Sequence, residues 1–92
     1  MRQEQAETVG IQALTWLAGE PDLLEVYLGA TGANVNDLKQ MAQNTEFLGS
    51  ILDFVLQADE HVTKFCDMAG LSYEVPMQAR QLLPGGDVVN WT

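Results

Sequence analysis

The residue types that most often carry catalysis or bind metals are scarce: one histidine, His61, and one cysteine, Cys66. They are five positions apart, whereas helical side chains share a face at spacings of three or four. Cys66 falls on the apolar face beside Val62 and Ala69, where a free cysteine usually packs as a small hydrophobe. No base follows it in the helix, and Lys64 lies on the opposite face, so nothing would stabilise a thiolate. The pattern favours a packing cysteine over a reactive thiol.

His61 lies at the edge of that apolar face, near Phe65 and Met68. Asp59 and Glu60 are its acidic neighbours, and together with His61 they could in principle help to hold a metal ion. Helical metal ligands, however, need spacings of three or four residues, and no carboxylate in this helix has that spacing from His61. The sequence therefore predicts a boundary histidine and no metal site.

Two pairs of acids have a spacing of three residues, Glu4 with Glu7 and Asp22 with Glu25. Such pairs occur in metal sites when histidine or further acids converge on them. Here they fall near the predicted starts of helices, where the helix dipole alone accounts for acids. Calcium-loop, phosphate-loop and Ser/His/Asp patterns are also missing from the sequence. We therefore predict no enzyme activity, no catalytic residue and no cofactor.

The charge is one-sided, since thirteen acids face four bases and the formal net charge is −9. No base lies between Arg2 and Lys39, whereas six acids do: Glu4, Glu7, Glu20, Asp22, Glu25 and Asp37. Such a surface repels phosphate backbones and anionic lipid at long range. It serves solubility, and it would also suit a basic protein partner.

Two helix–glycine–helix joints, at Gly32 and Gly70, are similar to the joint of a helix-turn-helix. In DNA-binding versions the second helix carries basic and amide side chains into the major groove. The two second helices offer Asn34, Asn36, Lys39, Gln40 and Gln43, with Asp37 among them, and Gln78, Arg80 and Gln81. Four bases are too few for the phosphate contacts that dominate affinity. A DNA-binding helix-turn-helix protein is therefore the alternative hypothesis.

The elements that would position these residues are all helices, because no stretch shows the alternation of a strand. Apolar spacing, caps, glycines and prolines predict six. They are Gln3–Ala18, Pro21–Thr31, Val35–Gln43 capped by Asn34, 45–57 capped by Asn44 or Thr45, one capped by Asp59 and ending at Gly70, and one capped by Ser72 and stopped by Pro84-Gly85-Gly86. Ninety-two residues make one domain, so we predict a single all-α domain over 1–92. Residues 1–5 and 85–92 are candidates for flexible ends.

The predicted central helix, residues 45–57, is apolar over an arc of roughly 200°, wider than a one-sided stripe. It must therefore be covered on more than one side. Outside the arc lie Gly49, Ser50, Asp53 and Gln57. Asp53 is thus predicted to be solvated rather than a buried acid. Leu52 is near the middle of the arc and is predicted to be buried, so that Leu52→Ala costs more stability than Asp53→Ala.

An internal repeat is visible at an offset of 38 positions, the separation of Gly32 and Gly70. Several apolar positions coincide at this offset: Val9 with Phe47, Leu14 with Leu52, Trp16 with Phe54, Leu17 with Val55, Leu24 with Val62, and Tyr27 with Phe65. The caps Asn34 and Ser72 coincide as well. We interpret this as two pseudo-repeated three-helix units about a pseudo-twofold axis. Chance alignment of helical periodicities is the alternative.

Several runs together resemble a known family. They are Ala13-Leu14-x-Trp16-Leu17-Ala18, Leu28-x-x-Thr31-Gly32, Glu46-Phe47-Leu48-x-x-Ile51-Leu52-Asp53-Phe54-Val55-Leu56, Ala58-Asp59-Glu60, Phe65 and Ala69-Gly70-Leu71. The family consists of small helical alphaproteobacterial proteins that are described only as a domain of unknown function, and the resemblance covers roughly residues 6–85. It implies a cytoplasmic bacterial protein, with no activity or catalytic residue to transfer.

The leading functional hypothesis is a non-enzymatic protein–protein interaction module, whose partner is another protein or a second copy. Candidate partner-binding residues are the aromatics expected at the edges: Trp16, Tyr27, Tyr73 and Trp91. Helical spacing also places Tyr27 on the inward face of the second helix, with Leu23, Leu24 and Leu28. The segment 87–92 is more apolar than a disordered end requires, so we predict that it folds back on the core, with docking on a partner as the alternative.

Three features of the sequence predict the cellular compartment of the protein. The start of the chain is polar and has no apolar signal segment, and no run is long enough to span a membrane. A single cysteine also fits a reducing compartment. We therefore predict a cytoplasmic protein without membrane contact.

Overall fold

The computed structural model describes residues 1–83, and this part of the chain is all-α, as predicted. Its helices are α1 (Gln3–Ala18), α2 (Pro21–Thr31), α3 (Leu38–Met41), α4 (Thr45–Leu56), α5 (Asp59–Ala69) and α6 (Val75–Leu82). A 3₁₀ turn, Val35–Asp37, precedes α3. Among residues 1–83, no helix has both the length and the apolar character needed to cross a membrane. The predictions for Pro84-Gly85-Gly86, for the end 85–92 and for Trp91 fall outside the described residues.

Most helix ends follow the local signals in the sequence. Gly32 and Gly70 end α2 and α5 with φ values of 74° and 72°, in the left-handed region that glycine adopts without penalty. Asn44 begins α4, because its side-chain oxygen accepts a hydrogen bond of 2.9 Å from the Glu46 N–H. Pro21 stands at the first position of α2, where no N–H is missed.

Three predicted helix details are wrong. The third helix is not continuous over 35–43 but divides into the 3₁₀ turn and the four-residue α3. Two of its apolar side chains are only partly covered, since Val35 is 52% exposed and Leu38 is half-buried, and packing is what sustains a short helix. Asp59 is the first residue of α5 rather than its cap, a place taken by Ala58. Ser72 ends up in the turn before α6, which starts only at Val75.

The core lies where α1, α4 and α6 pack against one another, with α5 against α4 and α1, and α2 against α1. The central role of α4 is confirmed, because half of its residues are buried: Leu48, Gly49, Ile51, Leu52, Phe54 and Val55. Leu52 is fully buried and Asp53 is exposed, so the helical phase is correct. Gly49 is the exception to the predicted stripe. Because glycine has no side chain, its position on a helical wheel gives little information about its burial.

Helices α1 and α4 lie close together at Gly10 and Leu48. A Cβ atom placed on Gly10 would lie 2.8 Å from the Cβ of Leu48, nearer than two carbon atoms can pack. Glycine at position 10 therefore permits this crossing.

Two aromatic contacts are related by the same offset of 38 positions. Trp16 on α1 packs against Phe65 on α5 with ring centroids 6.0 Å apart, and Tyr27 on α2 packs edge-on against Phe54 on α4 at 5.6 Å. Adding 38 to position 16 gives Phe54, and subtracting 38 from position 65 gives Tyr27. The two pairs are thus related by exchange of the two halves of the chain, as contacts across a twofold axis are. The third helices differ, since α6 packs on both α1 and α4 while α3 packs on α4. A repeat of whole three-helix units stays a prediction.

Candidate functional site

His61 is part of an aromatic cluster between α1, α4 and α5. Its ring stacks on Phe54 with centroids 5.2 Å apart and lies 6.1 Å from the ring of Trp16. Its Nδ1 atom is 3.3 Å from the Phe54 carbonyl oxygen. The residue is half-buried, as predicted for a boundary histidine. Among residues 1–83, no three histidine, cysteine or acidic side chains are grouped so that they could hold a metal ion.

Cys66 is fully buried, in agreement with the predicted packing role. Its thiol donates to the Ser72 carbonyl oxygen at 3.5 Å. Burial raises the pKa of the Cys66 thiol, and the charges of Asp67 and Glu74 act in the same direction. Since the thiolate is the nucleophilic form, this environment makes the sulfur less reactive.

The two acid pairs are only partly explained by helix starts. Glu4 and Asp22 lie in the first turns of α1 and α2, as predicted. Glu7 and Glu25 come one position later than the first turn, at the fifth residue of each helix. The helix dipole therefore accounts for the position of only one acid in each pair.

Two of the four aromatic residues proposed as edge-lying partner contacts are instead in the core, which for Tyr27 agrees with its helical spacing. Trp16 is 7% exposed and Tyr27 is 1% exposed, because each fills the contact between two helices described above. The Tyr27 hydroxyl pairs with the Ser50 hydroxyl at 3.1 Å, and burial raises the pKa of this phenol. Tyr73 is exposed, as predicted, and donates to the Asp67 carboxylate at 2.8 Å. The fourth residue, Trp91, lies outside the described range.

Neither helix–glycine–helix joint presents a basic recognition helix. After Gly32 comes a 3₁₀ turn and then a helix of four residues that carries a single base, Lys39. After Gly70, α6 buries Pro76 and Ala79 in the core. Its base, Arg80, is bound to the carboxylate of Asp53 on α4. The described residues therefore give no geometric support to the DNA-binding hypothesis.

An open concave surface runs along α5, opposite the corner at which α1 passes into α2. We name it the α5 groove. It consists of two adjoining hollows of about 540 and 310 Å³ that share Glu20 and Lys64. Its lining residues are Thr15, Trp16, Gly19, Glu20, Pro21, Asp22, Leu23, Glu60, His61, Lys64, Asp67 and Met68.

The α5 groove is lined by acids, which we call its rim, and by the apolar residues Trp16, Leu23 and Met68, which we call its floor. Its acids are Glu20, Asp22, Glu60 and Asp67. Lys64, the one base among the lining residues, is engaged by Glu60 at 3.0 Å, and this pairing lowers the pKa of the Glu60 carboxyl and raises that of the Lys64 amine. The result is an open groove with net negative charge.

The apolar part of the groove combines a rigid and an adaptable surface. Trp16 belongs to the core and shows only a small part of its surface, whereas the side chain of Met68 is 55% exposed. Leu23, which lines the adjoining hollow, is half-buried. An exposed methionine next to fixed apolar groups is typical of surfaces that adapt to a bound partner.

A second, smaller groove separates α5 from the start of α6 and has a volume of about 390 Å³. Its exposed apolar residues are Tyr73 and Met77, which are 53% and 57% exposed. Asp59 and Glu74 lie at its edges. It is the natural reference surface for the α5 groove, since it also offers a methionine of matching exposure.

Sequence reasoning missed the α5 groove because its two walls, near positions 20 and 64, are remote in the chain. The one available signal was the acidic stretch between Arg2 and Lys39, which contains Glu20 and Asp22. No pattern in a single sequence shows that these acids face Asp67 and Met68.

Comparison with known proteins gives one family and no individual relative. No protein of curated function matches the chain, and no solved structure matches it. A family model described as "Protein of unknown function (DUF3572)" matches residues 3–86, which is most of the chain. The chain therefore belongs to the DUF3572 family.

Proposed function

We propose that this protein is a non-enzymatic interaction module, a small acidic helical domain that works by binding another protein. The observation that carries the proposal is the α5 groove, an open surface with an apolar floor and four acids at its rim. Exposed apolar area in such a groove is costly to leave in water and gains free energy when a partner covers it.

The chemistry of the same surface supports binding rather than catalysis. His61, one of the lining residues, stacks on Phe54 and lies against Trp16, and the only cysteine is buried with a raised thiol pKa. The raised pKa keeps the thiol in its protonated form, which is not the nucleophile, and the contacts of His61 are those of a packed aromatic ring. The acids of the rim instead supply long-range attraction for a positively charged partner. We further propose that the encounter takes place in the cytoplasm, where a lone thiol stays reduced.

Affinity capture from native lysate tests this function. The full chain, tagged and immobilised, should retain a protein that bead-only controls do not, and the purified retained protein should bind the untagged chain directly by calorimetry. Light scattering of the chain alone completes the test by revealing self-association. A chain that retains nothing and is monomeric at all concentrations would overturn the proposal.

A further inference from the structure

We propose that the α5 groove binds a basic amphipathic helix of the partner protein. The inference rests on the proposed function and specifies the site and the chemistry of the occupant.

The dimensions of the groove suit a short helical segment. Along α5 its lining runs from Glu60 to Met68, and at 1.5 Å per residue this wall is about 12 Å long. A docked helix of two to three turns would cover that length. Helices that lie in grooves place apolar side chains at positions i, i+3 or i+4, and i+7, which form one stripe over such a distance.

The floor supplies the apolar contacts that this stripe needs. Met68, with more than half of its surface exposed, lines one hollow together with the exposed margin of Trp16, and the half-buried Leu23 lines the adjoining hollow. A Leu or Ile side chain of the docked helix in either hollow would remove apolar surface from water on both partners. The flexible thioether side chain of Met68 can adjust to the shape of the occupant.

The charges of the rim determine the sign of the charge that a bound segment should carry. Glu20 and Asp22 lie on the side of the α1–α2 corner, and Asp67 lies on α5. The opposing charge of Lys64 is compensated by Glu60. Lys and Arg residues on the flanks of the docked helix would meet these acids, whereas an acidic segment would be repelled. A second copy, with a net charge of −9, is disfavoured for the same reason.

A defined peptide tests the proposal. The probe is a fluorescein-labelled, amidated peptide of about 14 residues, with leucines at i, i+3, i+4 and i+7, lysines on the flanks and alanines elsewhere. Binding to the full chain is followed by fluorescence polarisation at low and at physiological salt. A scrambled peptide of equal composition has the same charge but no apolar stripe, and it should bind much more weakly.

Two matched variants locate the site. Met68→Gln removes the apolar contact of the α5 groove, and Met77→Gln makes the same change on an equally exposed residue of the second groove. We expect Met68→Gln to weaken binding of the patterned peptide by about fivefold or more, as for an interface anchor, and Met77→Gln to leave it nearly unchanged. Circular dichroism of both variants verifies that the fold is kept.

A second pair of variants distinguishes the effect of the acids that line the groove from the effect of the net charge of the protein. Glu20→Gln with Asp22→Asn removes two acids from the rim, and Glu4→Gln with Glu7→Gln removes two acids of α1 that do not line the groove. Both double variants have the same net charge. The rim variant should lose affinity several-fold more than its control, and more so at low salt.

Equal binding of the patterned and scrambled peptides would overturn the proposal, since it would show non-specific attraction only. Dependence on Met77 instead of Met68 would overturn the assignment of the site and leave the interaction function standing. Absence of peptide binding, in a chain that still captures a partner from lysate, would refute the basic helix alone.

Discussion

The guanidinium group of Arg80 on α6 holds the carboxylate of Asp53 on α4 through two hydrogen bonds, Nε to Oδ1 at 2.5 Å and Nη2 to Oδ2 at 2.9 Å. This bidentate geometry is the strong form of an ion pair. The Asp53 side chain is 53% exposed, but that of Arg80 is only 13% exposed. Removing the carboxylate would therefore leave a largely buried cation without this partner.

We expect Asp53→Ala to lower the free energy of unfolding by about 1–2 kcal/mol, because Arg80 would lose a charge-assisted partner. The exposure of the carboxylate keeps the effect below that of a fully buried pair. Urea denaturation of Asp53→Ala, Arg80→Met and the double variant measures the coupling directly. A coupling indistinguishable from zero would show that the pair contributes nothing.

Leu52 is fully buried in the middle of α4. Leu52→Ala should cost about 2–5 kcal/mol, since it removes a core side chain and leaves a cavity. Leu82→Ala is the matched control, because Leu82 is 40% exposed and its truncation should change stability by no more than about 0.5 kcal/mol. Denaturation midpoints of the two variants compare them. Equal losses would mean that α4 is not central to the core.

Gly10 should resist substitution because of its closeness to Leu48. Gly10→Ala gains helix propensity, but its Cβ would meet the Leu48 Cβ at 2.8 Å, so the helices must separate, at a net cost of about 1–3 kcal/mol. Gly29→Ala, on α2, meets no atom within 4 Å and should stabilise by up to about 1 kcal/mol. The midpoint of thermal unfolding should therefore fall for Gly10→Ala and rise for Gly29→Ala. A stabilised Gly10→Ala variant would contradict this crossing.

The two tyrosines should both ionise above the usual phenol range, for different reasons. Burial raises the pKa of Tyr27, and the hydrogen bond to Asp67 raises the pKa of Tyr73. Absorbance titration at alkaline pH measures both, with Tyr73→Phe isolating Tyr27. Asp67→Asn should lower the pKa of Tyr73 and leave that of Tyr27 unchanged; a shift of both would refute the assignment.

The raised pKa of Tyr27 also predicts how the stability of the fold changes with pH. Because the phenol binds its proton more tightly when folded, its contribution is fully present below the unfolded pKa of about 10. The contribution is lost as the pH rises through the higher pKa of the folded state. Denaturation at pH values on both sides of this window measures the loss.

The sequence by itself determined the features that depend on neighbouring residues. The bounds of α1 and α2 and the glycine ends at Gly32 and Gly70 follow from caps, proline, and left-handed backbone geometry. The central position of α4 and the burial of Leu52 follow from helical periodicity, which sorts side chains by direction around one axis.

Tertiary structure alone decided which remote residues meet. Periodicity correctly placed Asp53 on an exposed stripe, but it could not supply Arg80, which comes from another helix. It placed Tyr27 on the inward face of α2, but it gave no sign that Trp16 is buried against Phe65 or that Tyr27 meets Phe54. The α5 groove likewise exists only because folding brings the α1–α2 corner opposite α5. Local pattern fixes the direction of a side chain around its own helix, and the packing of helices fixes what stands opposite.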